Sequence, residues 1–267
     1  MTKTVLITGS TDGIGLETAK KFVSLGHKVL LHGRNSTKLA KVADTLAANG
    51  GQVESYVADL SRLADVEAMA QAIAAKHSKL DILINNAGVF KTANPITADG
   101  LDVRFVVNTI APYCLTQRLL PLMPEGGRII NLSSAAQASV SLEALAGKVR
   151  IADDFEAYAQ SKTAITIWSK ILAKKYKNLV ILAVNPGSLL GSKMVKEGFG
   201  MAGKDIQIGV DILTRAALAD EFATASGKYF DNDSKRLAIA HPDVENPQKS
   251  AAVVEAITNI LKQLTSY

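Results

Sequence analysis

A glycine-punctuated junction near the amino terminus constrains the fold of this chain more than any other feature. The stretch TVLITGSTDGIGLETA, from Thr4 to Ala19, passes from an apolar strand pattern into a helical pattern, with Gly9, Gly13 and Gly15 at the junction. Gly9 permits a tight turn, Gly13 lets a pyrophosphate approach backbone N–H groups, and Gly15 lets the helix pack closely on the strand. The pattern predicts a dinucleotide-binding turn at the start of a helix.

Strand and helix patterns alternate along the rest of the chain. Strand patterns occur at TVLIT, KVLLH, VESYV, LDILIN, GRIINLS and LVILAV, with a candidate seventh at GKYF, and Ser36 and Ser61 are expected to cap two of the intervening helices. Near-continuous apolar strands separated by helices predict a parallel sheet covered on both faces. We therefore predict an α/β fold, a single-domain doubly wound parallel β-sheet of the Rossmann type with helices on both faces, over residues 1–267.

The composition disfavours several other classes of protein. The chain has 267 residues, with 30 Lys and Arg against 25 Asp and Glu, a single buried-looking cysteine at Cys114, and 4 histidines that share no metal-like spacing. The basic residues are scattered, whereas a nucleic-acid surface more often shows a basic stripe. No apolar run reaches the roughly 20 residues of a membrane span, and the amino terminus lacks a signal-peptide pattern. We expect a soluble cytoplasmic protein with no nucleic-acid partner, no membrane span and no metal site.

The end of the second strand pattern predicts which dinucleotide binds. Enzymes that use NAD often place an acidic residue there, whereas an arginine accommodates the 2′-phosphate of NADP. This chain reads LLHGRN, in which Arg34 follows Gly33 and no carboxylate is present. The sequence favours NADP(H). NAD(H) is the alternative, because Asp12 stands beside the glycines and because Arg34 could be a solvated surface arginine.

The loops after later strands extend the predicted cofactor site, since ligands bind beyond the carboxyl ends of parallel strands. Asp59 could accept a hydrogen bond from the adenine amine or could cap the following helix, and NNAG supplies small residues against which a nucleotide can lie. The predicted cofactor-binding residues are Gly9, Thr11, Asp12, Gly13, Ile14, Gly15, Arg34, Asn35, Asp59, Leu60, Asn85, Asn86, Ala87, Gly88, Tyr158, Lys162, Pro186 and Gly187.

The stretch AYAQSKTA carries the predicted chemistry. Tyr158 and Lys162 are four residues apart in a helical pattern, so their side chains share one face. A tyrosine with an ordinary pKa of about 10 is a poor acid–base group at neutral pH. A neighbouring ammonium favours the phenolate, so Lys162 is expected to lower the pKa of Tyr158 toward the working range.

These motifs together resemble the short-chain dehydrogenase/reductase family. The resemblance covers nearly the whole chain, from TGSTDGIG through NNAG, NLSS and YAQSK to NPG, and the HGRN turn and the LLG after NPG look most like its retinol-dehydrogenase and WW-domain-oxidoreductase-like branch. It implies hydride transfer between a nicotinamide and a carbonyl or alcohol. It also implies a homodimer or homotetramer.

The resemblance implies a role for each matching residue. Tyr158 would donate the proton in carbonyl reduction and accept it in alcohol oxidation, and Lys162 would bond the nicotinamide ribose. Ser134 would hydrogen-bond the substrate oxygen, with Ser133 as the competing assignment. Asn108 would help to hold a water against the lysine for proton relay.

The chain departs from the family pattern in two places. The segment before Tyr158 is unusually long and is expected to loop out beside the active site. The usual threonine after NPG is displaced, so Ser188 or Ser192 is expected to contact the carboxamide.

The glycine-rich stretch 188–210 predicts an irregular, mobile substrate lid. Its apolar members, which suggest a lipophilic substrate, are Leu189, Leu190, Met194, Val195, Phe199 and Met201.

A non-catalytic dinucleotide-binding protein, acting as a redox sensor or scaffold, is the alternative function, because a fold does not fix a function. An interaction module built from the long segment before Tyr158 is compatible with either function. The complete set of Ser134, Tyr158 and Lys162 favours the enzyme.

Overall fold

A single eight-stranded sheet organises residues 1–265, which the computed structural model describes, apart from the side chain of Phe199. The strands are β1 (Thr4–Ile7), β2 (Lys28–Gly33), β3 (Val53–Val57), β4 (Ile82–Asn85), β5 (Arg128–Leu132), β6 (Val180–Asn185), β7 (Tyr229–Asp231) and β8 (Arg236–Ala238). Their order is β3-β2-β1-β4-β5-β6-β7-β8. The first seven pair in parallel and β8 pairs antiparallel with β7.

Helices connect the strands and cover the sheet. The α-helices are α1 (Gly13–Ser24), α2 (Ser36–Ala48), α3 (Leu63–Lys76), α4 (Val103–Phe105), α5 (Ala111–Leu119), α6 (Leu142–Leu145), α7 (Asp154–Lys175), α8 (Lys193–Phe199), α9 (Gln207–Leu218), α10 (Pro242–Glu245) and α11 (Pro247–Leu264). A π-helical turn, Val106–Ile110, joins α4 to α5, and short 3₁₀ turns follow at Leu120–Leu122 and Asp220–Phe222. The predicted doubly wound α/β fold is confirmed.

Two apolar layers flank the sheet, because successive side chains of a strand point to opposite faces. Leu6 joins the layer formed with α3, α5, α7 and α11, and its neighbours Val5 and Ile7 join the layer formed with α1, α2 and α9. Trp168 of α7 is fully buried in the first layer. Both faces are therefore covered, which explains why the strands are apolar almost throughout.

The sheet order places a crevice between the carboxyl ends of β1 and β4. From β1 the chain builds outward to β2 and β3, and from β4 it builds outward in the opposite direction. Such a reversal opens a ligand-binding crevice beyond the strand ends. The glycine turn follows β1 and the NNAG loop follows β4, so both lie at this crevice.

Two predicted helix caps are wrong. Asn35 caps α2, with its Oδ1 accepting from the N–H of Lys38 at 2.8 Å, so Ser36 is already inside the helix. α3 begins at Leu63 without a side-chain cap. Ser61 instead donates both its N–H and its hydroxyl to Asp59 Oδ1, at 2.9 and 2.7 Å. In the first case Asn35, one residue before Ser36, accepts from the helix N–H. In the second case Asp59, two residues before Ser61, accepts from the serine that was expected to cap.

The long segment before Tyr158 does not loop out, contrary to the prediction. Its Val140 and Leu145 are buried in the core layer that contains α7 and α11. Asp243 of α10 accepts hydrogen bonds from the Val140 N–H at 2.9 Å and the Ser139 hydroxyl at 3.0 Å. The prediction rested on the length of the segment, whereas its apolar side chains gain by being buried.

Strand β8 was not predicted. It is three residues long and follows a tight turn in which Lys235 has a φ of 56°. So short a segment carries no readable periodicity. In the described part of the chain, no helix is both long enough and apolar enough to cross a membrane.

Candidate active site

The glycine turn folds as its spacing predicts. Gly9 has a φ of +66° and Gly13 a φ of +52°, both in the region that favours glycine. A Cβ on Gly15 would lie 2.3 Å from the carbonyl oxygen of Gly9, so only glycine allows this approach of α1 to the turn. A Cβ on Gly13 would meet only Ser192, at 3.7 Å, so open space lies before the helix N-terminus.

The NNAG loop is tied to the glycine turn by hydrogen bonds. Asn86 Nδ2 donates to the carbonyls of Thr8 and Gly9 at 2.8 and 3.2 Å, and Thr8 Oγ1 accepts from the N–H groups of Asn86 and Ala87, both at 3.0 Å. The amide of Asn86 is thereby committed to the protein backbone. These bonds fix both walls of the crevice relative to each other.

Asn85 faces the interior, away from the crevice. It is 2% exposed, and its Nδ2 donates to Asn131 Oδ1 at 2.7 Å and to Thr116 Oγ1 at 3.2 Å. The two consecutive asparagines thus point to opposite sides, as alternation at a strand end requires. The side chain of Asn85 supports the loop instead of lining the crevice.

His32 is a supporting residue that the sequence analysis missed. Its Nδ1 accepts from the Gly9 N–H at 2.9 Å, and its Nε2 lies 3.1 Å from the Ala58 carbonyl, which fixes the neutral Nε2–H tautomer. Burial lowers the pKa of His32 to about 4. The neutral ring therefore connects the turn after β1 with β2 and the end of β3. The only signal in the sequence is a polar residue inside an apolar strand.

The region after β2 presents one unpaired cation and one paired cation. Arg34 is exposed, and none of the described residues forms a hydrogen bond or an ion pair with it. Lys38 lies 2.6 Å from Asp12 Oδ2, while Asp12 Oδ1 accepts from the Gly13 N–H at 2.8 Å and caps α1. The hydrogen bond from Lys38 lowers the pKa of Asp12. Asp12 is therefore neutralised by a neighbour, which weakens its repulsion of a phosphate.

Thr11 and Asp59 shape the same end of the crevice. A Cβ on Gly33 would lie 2.5 Å from Thr11 Cγ2, so Thr11 packs directly on the end of β2. Asp59 uses Oδ1 to accept from Ser61, and the neighbouring Leu60 is buried. Asp59 forms a turn with Ser61 and does not cap α3 by its side chain, so the predicted capping alternative is wrong.

Tyr158 and Lys162 lie on one face of α7, with Lys162 Nζ 5.5 Å from the centre of the Tyr158 ring. Lys162 is 4% exposed, and its Nζ donates to the Leu132 carbonyl at 2.7 Å. Burial lowers the pKa of Lys162 to about 7. Burial also raises the pKa of Tyr158, and the hydrogen bond with Ser134 opposes that shift.

The expected lowering of the Tyr158 pKa by Lys162 is therefore wrong for the protein without cofactor. Both groups are desolvated, and desolvation disfavours the charged form of each. The Lys162 amine is therefore only partly protonated at neutral pH, and the Tyr158 phenol keeps its proton. The phenol is thus held in the state that donates a proton.

The structure distinguishes the two adjacent serines. Ser133 is 3% exposed, and its hydroxyl lies 2.7 Å from Thr166 Oγ1 and 3.1 Å from the Lys162 carbonyl. Ser134 lies on the other side and hydrogen-bonds Tyr158. Its carbonyl accepts from the hydroxyl of Tyr229 at 3.0 Å. Ser134, and not Ser133, is the serine that meets the tyrosine.

Asn108 joins the NNAG loop to α7 from within the π-helical turn. It is fully buried, its Oδ1 accepts from the Val89 N–H at 2.8 Å, and its Nδ2 donates to the Val89 carbonyl and to Ser161 Oγ, both at 2.9 Å. Pro112 lacks an N–H, so it cannot donate to the Asn108 carbonyl four residues earlier. That carbonyl is freed from the usual α-helical bond.

The loop at Pro186 and Gly187 is anchored by acidic residues at the end of β7 and in the turn that follows it. Asn185 Nδ2 donates to Asp231 and Asp233, at 2.7 and 2.8 Å. Asp233 also accepts from the Ser188 hydroxyl at 2.5 Å. The hydroxyl of Ser192 caps α8. Both serine hydroxyls are engaged within the protein, so the expected carboxamide contact is not prepared by either.

The segment 188–210 is more regular than predicted, since it contains α8 and the start of α9, and its mobility as a substrate lid stays a prediction. A Cβ on Gly88 would lie 3.6 Å from Met194 Cε, so α8 lies across the crevice from the NNAG loop. Leu190 and Val195 are buried, while Leu189 and Met201 are exposed. The predicted apolar contribution of Phe199 falls outside the described side chains.

An aromatic wall connects Tyr158 to α8. The Phe90 ring lies edge-on to Tyr158, at 5.2 Å between ring centres, and edge-on to Phe155 at 6.3 Å. A Cβ on Gly198 of α8 would lie 2.6 Å from Phe90 Cε1, so the backbone of α8 packs directly on this ring. The space beside the tyrosine is therefore bounded by apolar groups. In the described part of the chain, no cluster of His, Cys, Asp and Glu could hold a metal ion.

Comparison with known proteins points in the same direction as the site. A family model for short chain dehydrogenases matches residues 3–202. Retinol dehydrogenase 12 of Mus musculus is 33% identical over 255 residues, covering 89% of this chain and 80% of the mouse protein.

Solved structures share the architecture. An uncharacterised protein from Mycobacterium paratuberculosis superposes with a TM-score of 0.82 at 26% identity, covering 97% of this chain and 93% of that chain. A short chain dehydrogenase from Shigella flexneri, complexed with NADP, superposes with a TM-score of 0.69 at 28% identity, covering 86% of this chain and 97% of that chain.

Proposed function

Since the chain belongs to the short-chain dehydrogenase family, in its retinol-dehydrogenase-like branch, we propose that it transfers hydride between NADP(H) and a lipophilic carbonyl or alcohol. The convergence of Ser134, Tyr158 and Lys162 at the carboxyl edge of the sheet carries this proposal. The glycine turn lies at the same edge.

The residues at the crevice fit a dinucleotide. The glycine turn leaves a cradle before α1, where first-turn N–H groups suit a pyrophosphate. Arg34 is available for a 2′-phosphate, and Lys38 already offsets the charge of Asp12. NADP(H) is therefore favoured over NAD(H). The NADP-bound structure of the Shigella flexneri relative is consistent with this choice.

When bound, NADP(H) would supply the hydride in carbonyl reduction or accept it in alcohol oxidation, and the protein would handle the proton. Tyr158, kept protonated by burial, donates to the carbonyl oxygen in reduction and accepts the proton back in oxidation. Ser134 hydrogen-bonds the same oxygen and stabilises its developing charge. Lys162, with a pKa of about 7, can pass a proton toward the tyrosine at neutral pH. Asn108 and its freed carbonyl form part of that route.

The walls of the site favour a lipophilic substrate. Phe90, Phe155 and Met194 bound the space beside Tyr158 and the NNAG loop. A buried polar substrate would find few partners among them. The single domain, the cytoplasmic location and the homodimer or homotetramer stay predictions from the sequence.

Turnover with a matched tyrosine variant tests the proposed function. The wild-type protein should consume NADPH in the presence of lipophilic aldehydes or ketones. Tyr158→Phe should lower kcat by roughly 10²- to 10⁴-fold, the usual contribution of a positioned acid or base, while its Kd for NADPH changes far less. NADPH binding without turnover across the panel would support the sensor or scaffold instead. Equal turnover by both proteins would remove Tyr158 from the mechanism.

A further inference from the structure

A buried arginine lies where the catalytic helix begins. Arg104 of α4 is 1% exposed, and its guanidinium is shared between two carboxylates. Its Nε donates to Asp102 Oδ1 at 2.8 Å and one terminal nitrogen donates to Asp102 Oδ2 at 2.6 Å. The other terminal nitrogen donates to Asp154 Oδ1 at 2.5 Å. Asp154 is the first residue of α7.

The pair with Asp102 is local, whereas the pair with Asp154 joins two helices that are far apart in sequence. Asp102 also caps α4 by accepting from the Arg104 N–H at 2.9 Å, so it fixes the arginine on its own helix. Asp154 lies 50 residues further along the chain. A planar guanidinium that is held on one side by a bidentate carboxylate has little freedom left on the other side. The Asp154 carboxylate is therefore tied to α4.

The first turn of α7 has few other polar ties. Asp153 accepts from the Glu156 N–H, and Glu156 accepts from Gln160, both within or beside the same helix. Among the described residues, the bond from Arg104 is the hydrogen bond that connects residues 153–157 to another element. Phe155 adds only a ring contact to Phe90 and is 49% exposed.

Residues at helical spacing connect the Arg104 contact with Tyr158 and Lys162. Asp154, Tyr158 and Lys162 recur every four residues, so they share one face of α7. A polar seam then continues between the two elements, because Asn108 Nδ2 donates to Ser161 Oγ and Thr109 Oγ1 donates to the Ser161 carbonyl at 2.7 Å. The contact between Arg104 and Asp154 is the amino-terminal end of this seam.

We propose that Arg104 is a positioning residue, which through Asp154 sets the placement of the first turns of α7 and so holds the Tyr158 phenol against Ser134. Its effect on rate rests on the proposed function, whereas its effect on the placement of Tyr158 does not. Arg104 touches neither reacting atom and acts only through the helix.

The test compares Arg104→Met, Arg104→Lys and Asp154→Asn in the full chain, with Arg118→Met as a control. Arg118 pairs with Glu67 between α5 and α3, away from Tyr158, so its loss should lower stability without moving the tyrosine. The direct readout is the ¹³Cζ resonance of Tyr158 in tyrosine-labelled protein, assigned by its absence in Tyr158→Phe. Kd for NADPH, kcat and Tm are measured on the same samples.

We expect Arg104→Met and Asp154→Asn to shift the Tyr158 resonance and to lower kcat by about tenfold to a hundredfold, as small displacements of a catalytic group do, with Kd for NADPH unchanged. Arg104→Lys should recover part of both, since lysine keeps the charge but not the fork. Arg118→Met should lower Tm only.

An unshifted Tyr158 resonance in both Arg104→Met and Asp154→Asn would overturn the proposal, even if Tm falls. If Arg104→Met does not fold, Asp154→Asn decides, because it leaves Arg104 paired with Asp102. If the wild type turns over no carbonyl, the proposed function fails, and the resonance still decides the role of Arg104.

Discussion

Lys162 is almost completely buried, and no carboxylate pairs with it among the described residues. Among the described residues, its ammonium donates to the carbonyl of Leu132, so desolvation dominates and its pKa falls to about 7. A bound anionic cofactor would alter that balance, because negative charge favours the ammonium. At the scale of single residues, burial therefore sets the protonation of the site. It lowers the pKa of His32 beside the glycine turn in the same way.

His32 predicts a pH dependence of stability. Its folded pKa is about 4, against 6.5 for the free side chain, so the unfolded state binds more protons between these values. The free energy of unfolding should therefore be highest above pH 6.5 and should fall as the pH drops to 4, with about 3 kcal/mol of the loss due to His32.

Denaturant unfolding of the wild type and His32→Asn across this range measures that share. The asparagine oxygen can still accept from the Gly9 N–H, so the variant should fold. Between pH 6.5 and 4 its free energy of unfolding should fall by about 3 kcal/mol less than that of the wild type. Parallel slopes would show that His32 does not titrate in this way.

At the scale of elements, α8 is the part of the site that depends on close packing. Its backbone lies against the Phe90 ring, which in turn lies against Tyr158. The contact exists because position 198 is glycine and not because the helix is apolar. Movement of α8 and the shape of the space beside Tyr158 are therefore coupled through Phe90.

Gly198→Ala should disturb that coupling. The new Cβ would lie 2.6 Å from Phe90 Cε1, so either α8 or the Phe90 ring must shift. We expect KM for a lipophilic substrate to rise by about tenfold. A tenfold change corresponds to about 1.4 kcal/mol, which is the size expected for one strained packing contact. Adding Phe90→Leu should restore part of the loss, because a smaller side chain makes room.

Glu197→Ala on the same helix is the control, since Glu197 is exposed and, among the described residues, pairs only with Lys193 on its own helix. Equal effects of the Gly198 substitution with Phe90 and with Leu at position 90 would show that the two positions are independent.

At the scale of the whole molecule, the two ends of the crevice are formed by different parts of the chain. The end beyond β2 carries Arg34 and the Lys38–Asp12 pair, and the end beyond β5 carries Ser134. Only a continuous sheet brings these ends into one site. Cofactor choice and chemistry should therefore be separable by mutation.

Cofactor titrations test that separation. Arg34→Ala should weaken binding of NADPH on the order of tenfold and leave binding of NADH nearly unchanged, because only NADPH has a 2′-phosphate. Lys38→Met should also weaken binding of NADPH, since it leaves the charge of Asp12 uncompensated. Arg215→Ala, which removes a cation paired with Glu221, is the control. Equal losses for both cofactors in Arg34→Ala would contradict the assignment.

Much of the fold and the core of the site can be predicted because they depend on short-range patterns. The glycine spacing, the strand periodicity and the four-residue step from Tyr158 to Lys162 are all local. His32, the pair of Arg104 with Asp154 and the packing of Gly198 on Phe90 join positions far apart in the chain. Such contacts leave no periodic signal, and the direction of the Tyr158 pKa shift depends on burial that no spacing reveals.

The most direct test of the account is isotope transfer. The protein is incubated with NADPH deuterated at nicotinamide C4 and a lipophilic aldehyde, and the alcohol is analysed for deuterium. Deuterium is expected on the former carbonyl carbon with the wild type and almost none with Tyr158→Phe. Absence of deuterium with the wild type across a panel of lipophilic carbonyls, despite tight NADPH binding, would contradict it.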